Sequence, residues 1–109
     1  MTNDLNPIFQ AEPKFPSDET PLSLDFAQRL ALTGETLSTF SVTIVDRDTL
    51  VDVTTWMLMQ GSELVSDNVA SFWVKDGSHN HDYHVLVSGA TSLTRIINGV
   101  IILPVRERK

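Results

Sequence analysis

Apolar and polar residues alternate in several short segments of this chain, and turn residues separate the segments. TLSTFSVTIVD places Phe40, Val42 and Ile44 on one side of an extended backbone, and VASFWVKDG (69–77) and DYHVLVSG (82–89) alternate in the same way. Because side chains alternate between the two faces of a strand, each pattern predicts a half-buried β-strand. Turn signals recur about every 8–15 residues and no helix of ordinary length is evident. These features predict an all-β fold, a β-sandwich of about seven strands.

Two intervening segments are less regular. LSLDFAQRLAL alternates like a first strand, but a short helix over residues 26–32 fits as well, with Gly34 and Glu35 as the following turn. LVDVTTWMLMQG (50–61) is rich in β-branched residues, and ELVSD (63–67) is a candidate for a short strand at a sheet edge beside it.

The last segment, TRIINGVIILPVRERK, is apolar on both faces of a strand. Asn98-Gly99 between apolar runs is a strong signal for a two-residue hairpin, and it also fits a bulge inside one long strand. Under strict alternation, one face holds Ile97, Ile101, Leu103 and Val105, and the other holds Ile96, Val100, Ile102 and Pro104. Since neither face is polar, we expect other structure to cover both.

Composition excludes several classes of function. A chain of 109 residues fits one domain. Its net charge of −6 opposes an electrostatic grip on nucleic acid. The chain has no cysteine, no recognisable signal peptide and no run of the roughly 20 apolar residues that span a bilayer. We therefore expect a soluble protein that binds neither nucleic acid nor a membrane.

Proline is concentrated at the N-terminus. Four of the five prolines lie within the first 21 residues, and each removes a backbone donor and restricts φ. This predicts an extended arm over residues 1–21, ahead of a β-sandwich over residues 22–109. A floppy tail is the alternative. The apolar residues Ile8, Phe9 and Phe15 favour an arm that lies on its own domain or on a neighbouring subunit.

The residues that could carry chemistry favour structural interpretations. In HNHDYH, nitrogen and oxygen ligands for zinc or nickel could come from His79, His81, Asp82 and His84. On a strand, however, His81 and His84 point to opposite faces, so a solvated turn is the better interpretation. Asp46-x-Asp48 supplies too few oxygens for a calcium loop and is typical of a turn. No catalytic motif is present, and we expect no enzyme, no metal and no cofactor.

Aromatic residues allow a second interpretation. A carbohydrate groove could be lined by Trp56, Trp73, Phe40, Phe72 and Tyr83. In a domain this small most of these side chains are needed to fill the core, so core positions are favoured.

The second half of the chain resembles known sandwiches. DGSHNHDYHVLV is a turn followed by Tyr-x-Val-x-Val, which is similar to the penultimate strand of immunoglobulin-like domains, with Tyr83 as the tyrosine that ties down the corner. Residues 22–108 as a whole resemble small structural proteins encoded among the head and tail genes of tailed bacteriophages. The matching positions are Leu24, Asp25, Gly34, Glu35, Trp73, Gly77, Tyr83, Val85 and 105–108. The Pro-rich arm, SHNH in the turn and Asn98-Gly99 depart from that pattern.

This resemblance implies an immunoglobulin-like, non-enzymatic virion protein on the capsid, the head–tail neck or the tail, assembled in the host cytoplasm. Its partners would be other virion proteins and copies of itself. We expect the partner contacts at Ile8, Phe9, Phe15, Ile96, Val100, Ile102, Arg106 and Arg108. The alternative is a glycan- or receptor-binding sandwich that uses an exposed tryptophan.

The resemblance also bears on Asn98-Gly99. It places the preceding turn at residues 89–92 and favours one long edge strand over residues 94–105, with Asn98-Gly99 as a bulge. Pro104 fits an edge strand, because proline cannot donate to a sheet. Ile96, Val100 and Ile102 are then the face that the arm or a neighbouring subunit covers.

Overall fold

The computed structural model describes residues 8–106. Its strands, in chain order, are β1 (Ile8–Gln10), β2 (Thr20–Asp25), β3 (Leu37–Asp46), β4 (Leu64–Ser66), β5 (Val69–Val74), β6 (His81–Thr91) and β7 (Ile96–Val105). Two short helices, α1 (Ala27–Ala31) and α2 (Thr54–Met57), lie between strands. Within this part of the chain no helix has the length and hydrophobicity to cross a membrane. The predicted all-β sandwich is confirmed.

The strands form two sheets. One has the order β1-β7-β6-β3, and the other has the order β2-β5-β4. All neighbouring strands are antiparallel except β1 and β7, which are parallel. In immunoglobulin terms β2, β5 and β4 occupy the B, E and D positions, and β3, β6 and β7 occupy C, F and G. β1 lies beside the G position.

The core fills the space between the two sheets, as the alternation predicts. Ile44 on β3, Phe72 on β5 and Val85 on β6 are fully buried, and each of their sequence neighbours points the other way. A fully buried side chain of this size stabilises the fold by roughly 1.5–3 kcal/mol. The paired inner faces therefore hold the sandwich together.

Tyr83 ties down the turn that precedes β6. Its side chain is fully buried, and its hydroxyl oxygen accepts a hydrogen bond from the backbone N–H of Ser78 at 2.8 Å. A tyrosine near the start of the F strand that bonds to backbone a few residues upstream is the corner arrangement of immunoglobulin-like sandwiches. The structure therefore gives Tyr83 the position that the resemblance implied.

The two irregular segments contain both kinds of structure. LSLDFAQRLAL is strand up to Asp25 and helix from Ala27, so the two alternatives hold for successive parts of the segment. Residues 54–57 of the β-branched segment form α2, and just before it Asp52 Oδ1 accepts hydrogen bonds from the N–H and hydroxyl of Thr54. β4 is an edge strand as expected, and its partner is β5.

Asn98-Gly99 lies inside one long strand, as the resemblance favoured, and the hairpin alternative was wrong. The expected bulge was also wrong. β7 pairs with β6 without a break in register from Ile96–Ala90 to Val105–His81. The turn lies at residues 92–95, where the Thr91 hydroxyl accepts hydrogen bonds from the N–H groups of Leu93 and Arg95. The prediction of a turn at residues 89–92 was therefore three residues too early.

β7 is also not an edge strand, because the N-terminal arm pairs with its other side. Ile8, Phe9 and Gln10 lie opposite residues 100–102. Beyond β1, the Ala11 N–H donates to Ile102 O and the Lys14 N–H to Pro104 O. The edge of β7 that was predicted to be open is therefore paired with β1. The sequence did not predict β1, because the segment around it is rich in proline.

Candidate protein-binding face

The four-stranded sheet has one face in the core and one directed away from it. We call the second the outer face, and it is built from alternate residues of all four strands. The strand register arranges these residues in rows across the sheet: Gln10, Ile102, His84 and Val45; Ile8, Val100, Leu86 and Thr43; Asn98, Ser88 and Ser41; and Ile96, Ala90 and Thr39. Pro104 and Asp82 lie opposite each other at one end.

The outer face mixes apolar and polar side chains, and several of its apolar side chains are open to solvent. Ile8 is 74% exposed, Ile96 is 63% exposed and Leu86 is 40% exposed. Val100 and Ile102 lie between them and are half-buried. Adjacent apolar side chains on the surface of a small soluble domain mark a site of protein interaction. Nothing within residues 8–106 covers this face.

The outer face carries almost no charge, although the chain carries −6. Among its residues named above, Asp82 is the only acidic side chain, and it lies at the rim. Arg106 Nη2 donates to Asp82 Oδ1 at 2.7 Å, so this carboxylate is neutralised locally. A partner therefore meets a surface of apolar and polar side chains with one balanced ion pair at its end.

Half of the residues predicted to contact a partner lie together on this face. Ile8, Ile96, Val100 and Ile102 all belong to it, because β1 pairs with β7 so that Ile8 lies opposite Val100. Phe9 lies opposite Ile101 on the other side of the sheet and is 48% exposed, while Phe15 lies beyond β1 and is 41% exposed.

The two predicted arginines have different outcomes. Arg106 is held against Asp82 and against the carbonyl oxygens of His81 and Val105. Arg108 lies outside the described residues.

The sequence prediction missed Leu86 and Val45. Leu86 lies between Val100 and Thr43 in one row, and Val45 lies next to His84 in another. The alternation of β6 and β3 already placed both side chains on the non-core face. The sequence did not show that β3 pairs with β6 and β6 with β7. These pairings bring the non-core side chains of the three strands together on one surface.

A cleft of about 310 Å³ opens beside one end of the outer face, between the edge strands of the two sheets, and shares Thr39 with that face. It is lined by Ser38, Thr39, Phe40, Glu63, Leu64 and Val65. Leu64 on β4 is 63% exposed, the same fraction as Ile96. A substitution at Leu64 can therefore serve as the control for the same substitution at Ile96 on the outer face.

Among residues 8–106, the candidate ligands of HNHDYH, for which a solvated turn was the favoured interpretation, do not form one cluster. His84 lies on the outer face and Asp82 pairs with Arg106. His81 Nδ1 instead donates to Asp46 Oδ2 at 2.8 Å and lies 3.6 Å from Asp48 Oδ2. His81, Asp46 and Asp48 could together offer three ligand atoms to a metal ion, all within 4.8 Å of one another.

Asp46 has a structural role at this corner, as the turn interpretation predicts. Its Oδ1 accepts hydrogen bonds from the N–H groups of Asp48 at 2.8 Å and Thr49 at 3.4 Å. Burial opposes ionisation of Asp46. The hydrogen bond from His81 and those from the backbone outweigh it, and the pKa of Asp46 lies below its ordinary value. The carboxylate therefore joins the end of β3 to the start of β6.

The two tryptophans are only partly buried. Trp56 on α2 is 43% exposed, and Trp73 on β5 is 44% exposed. Trp73 points away from the core of the three-stranded sheet, opposite Pro21 on β2. For these two residues the core interpretation was wrong, whereas Phe72 and Tyr83 are fully buried.

Comparison with known proteins identifies a family. No curated protein shows a significant match to the chain. The family model described as podophage GP4 fiber-tail adaptor protein gp77 matches residues 14–104, which include both sheets apart from β1 and the last residue of β7. The predicted resemblance to small structural proteins of tailed phages is thereby confirmed. The chain belongs to the podophage GP4 fiber-tail adaptor protein gp77 family.

Proposed function

We propose that this protein joins a tail fibre to the tail of a podophage particle, and that the outer face is one of the surfaces through which it does so. The observation that carries the proposal is the uncovered apolar surface around Ile8, Ile96, Leu86 and Val100, in a chain whose family is a fiber-tail adaptor. An adaptor works by holding two other components at once. It therefore needs contact surfaces and requires no catalytic group.

The driving force for docking is the removal of these side chains from water. Each square ångström of apolar surface that a partner covers contributes roughly 25 cal/mol, against the cost of fixing the partner in place. Phe9 and Phe15 extend the apolar contact along the arm, and Arg108 provides a positive charge at the C-terminus. Arg106 acts at the rim together with Asp82.

The location follows from the role. The protein is a component of the virion, and it is made and assembled in the host cytoplasm. Its partners are other virion proteins and further copies of itself. The net charge of −6 opposes an electrostatic grip on nucleic acid and is compatible with contacts to proteins.

Reconstitution of deficient particles tests the proposal. Particles assembled without this protein should lack attached fibres in electron micrographs, and addition of the purified protein with purified fibres should restore them. The variant Ile96→Glu places a charge on the outer face and should not restore fibres. Leu64→Glu adds the same charge at an equally exposed strand position and should restore them.

Circular dichroism and thermal melting of both variants separate a loss of docking from a loss of folding. Full restoration by Ile96→Glu would show that the outer face is not used. Deficient particles with normal fibres would overturn the adaptor role itself.

A second candidate function is recognition of a glycan or host receptor by the three-stranded sheet. The partial exposure of Trp56 and Trp73 favours it, since half-exposed indoles can stack on sugar rings. Titration of host surface oligosaccharides should then quench tryptophan fluorescence in the wild type and not in Trp73→Ala. An unchanged spectrum at saturating oligosaccharide would dismiss this function.

A further inference from the structure

We propose that His81, Asp46 and Asp48 form a binding site for a divalent transition-metal ion of the zinc type. Asp46 ends β3, Asp48 lies in the turn that follows, and His81 begins β6. The site combines the histidine segment with Asp46-x-Asp48, and each of these motifs taken alone favours a turn. The inference goes beyond the adaptor role and does not depend on it.

The pairing of β3 with β6 brings the three side chains together. Asp46 lies opposite Tyr83, so His81 lies two residues further along β6 and points to the same side of the sheet. This is the inner side, at the end of the sheet where the core ends, since Ile44 and Tyr83 are buried there. As a result, His81 Nδ1 lies 2.8 Å from Asp46 Oδ2 and 3.6 Å from Asp48 Oδ2.

The separations of the ligand atoms suit one small cation. Zinc binds imidazole nitrogen and carboxylate oxygen at about 2.0–2.2 Å, so two ligand atoms of a tetrahedral site are about 3.3–3.6 Å apart. The two distances from His81 Nδ1, 2.8 and 3.6 Å, lie close to this range. The ligand atoms of all three residues lie within 4.8 Å of one another. Asp48 can close the remaining gap, because its side chain is 57% exposed and free to turn.

Asp46 is already oriented as a metal ligand. Its Oδ1 accepts hydrogen bonds from the backbone N–H groups of Asp48 and Thr49, which leaves Oδ2 directed at His81. Hydrogen bonds that hold a ligating carboxylate in place raise the affinity of a metal site. The neutral imidazole of His81 can carry its hydrogen on Nε2, so Nδ1 is able to bind the ion. The ion then takes the place of the hydrogen between Asp46 and His81.

Charge and donor type select the class of ion. Two ionised aspartates beside a neutral imidazole carry two negative charges, which one divalent cation balances. Within residues 8–106, both carboxylates form their ion pairs with His81, and no lysine or arginine pairs with either of them. Calcium and magnesium prefer sites made only of oxygen, whereas an imidazole nitrogen favours zinc and nickel. The mixed donor set therefore predicts a transition metal.

A bound ion would join three parts of one corner. It links the end of β3, the turn after it and the start of β6, and water completes the coordination of the metal. At the same corner the Arg47 N–H donates to Asp82 O, and Asp82 is the rim residue of the outer face. Because the unfolded chain does not hold the three ligands together, metal binding stabilises the folded state.

Thermal melting and NMR of the full chain, first treated with a chelator, test the site. Zinc chloride at saturating concentration should raise the melting temperature by at least about 5 °C. Calcium and magnesium chloride at the same concentration should leave it unchanged. In nitrogen-15 spectra of the imidazole rings, the Nδ1 resonance of His81 should shift on addition of zinc, while the resonances of His84 should not.

Three variants measured by isothermal titration with zinc chloride assign the ligands. Asp48→Asn removes a ligand at an exposed position, so the chain should fold normally and bind zinc at least about tenfold more weakly. His81→Gln keeps a hydrogen-bond donor near Asp46 and should abolish zinc binding. His84→Gln, on the outer face of the same strand, is the control and should bind like the wild type. A melting temperature that does not rise with zinc, or equal affinity in Asp48→Asn and the wild type, would overturn the site. Loss of binding in His84→Gln would also overturn it, since zinc would then bind at another histidine.

Discussion

At the scale of single residues, Lys14 holds the N-terminal arm in place. It is the one basic side chain among residues 8–106 that is buried. Its Nζ donates hydrogen bonds to the carbonyl oxygens of Phe15 at 2.7 Å, Pro16 at 3.0 Å and Asp76 at 2.6 Å. Burial lowers the pKa of Lys14, and the carboxylates of Asp18 and Asp76 oppose this shift. The ammonium group thus joins the arm to the turn after β5.

Replacing Lys14 by methionine keeps an unbranched side chain, one heavy atom shorter, and removes the donor. Three carbonyl oxygens then lose a charged partner, so we expect Lys14→Met to lower the free energy of unfolding by about 2 kcal/mol. Urea denaturation followed by circular dichroism measures the change. Lys75→Met, at a half-exposed position, is the control. Equal effects of the two substitutions would show that the hydrogen bonds of Lys14 contribute little.

Glu35 is a second buried charge and predicts a pH dependence. A hydrogen bond from the Thr91 hydroxyl lowers the pKa of Glu35, burial opposes the shift, and Arg95 Nε, 3.4 Å from Oε2, adds to it. A carboxylate with a lowered pKa in the folded state stabilises the fold above its ordinary pKa of about 4.3. This stability is lost as pH falls through the lowered value.

We therefore expect Glu35→Gln to melt at a lower temperature than the wild type at pH 7, with the difference shrinking between pH 5 and pH 3. Thermal melts across that range measure the effect. A difference that stays constant with pH would assign the loss to packing and not to the charge of Glu35.

At the scale of elements, the alternation of apolar and polar residues predicted the strands correctly. The turn signal of Asn98-Gly99 gave a wrong prediction. β3, β5 and β6 follow directly from their alternating patterns, because a buried inner face leaves little freedom of register. The hairpin prediction for Asn98-Gly99 was wrong. A tight hairpin of this type needs a positive φ at both residues, and neither residue has a positive φ. The pairing of β7 with β6 and with the arm overrides the local preference.

Substitutions at two asparagines test this account of β7. Asn98 has an extended backbone on the solvent side of a strand, so we expect Asn98→Thr to change the free energy of unfolding by less than about 0.5 kcal/mol. Asn68 has a φ of 67° in the turn before β5. A β-branched residue is strained there, and Asn68→Thr should cost about 1–2 kcal/mol. Urea denaturation at micromolar concentration compares them, and a larger loss in Asn98→Thr would contradict the continuous strand.

The sequence predicted the contact residues within a single strand, but it did not predict which strands combine to form the surface. Ile96, Val100 and Ile102 were found from the excess of apolar residues on β7. Leu86 and Ile8 join them only through pairings between residues distant in sequence. A single sequence contains little direct information on which strands become neighbours. The same limit hid β1, whose three residues make a strand only because β7 lies beside them.

At the scale of the whole molecule, an acidic chain carries a face with exposed apolar side chains and few charges, and the net charge of the chain opposes association through that face. The isoelectric point is near 4.8, so repulsion between copies weakens as pH falls towards 5. The pKa values of Asp46 and Glu35 are lowered, so both carboxylates remain ionised at pH 5. The contributions of these two carboxylates to folding are therefore kept while the repulsion between copies weakens.

We expect the wild-type protein to become turbid as pH is lowered from 7 to about 5. As the net charge falls, copies of the chain repel each other less and associate through their exposed apolar side chains. Ile96→Glu should stay clear over the same range. Leu64→Glu has the same net charge and an unaltered outer face, so it should become turbid like the wild type. Light scattering with circular dichroism at each pH measures both properties. Equal protection by the two glutamates would mean that net charge alone controls solubility, whereas protection by Ile96→Glu alone assigns the association to the outer face.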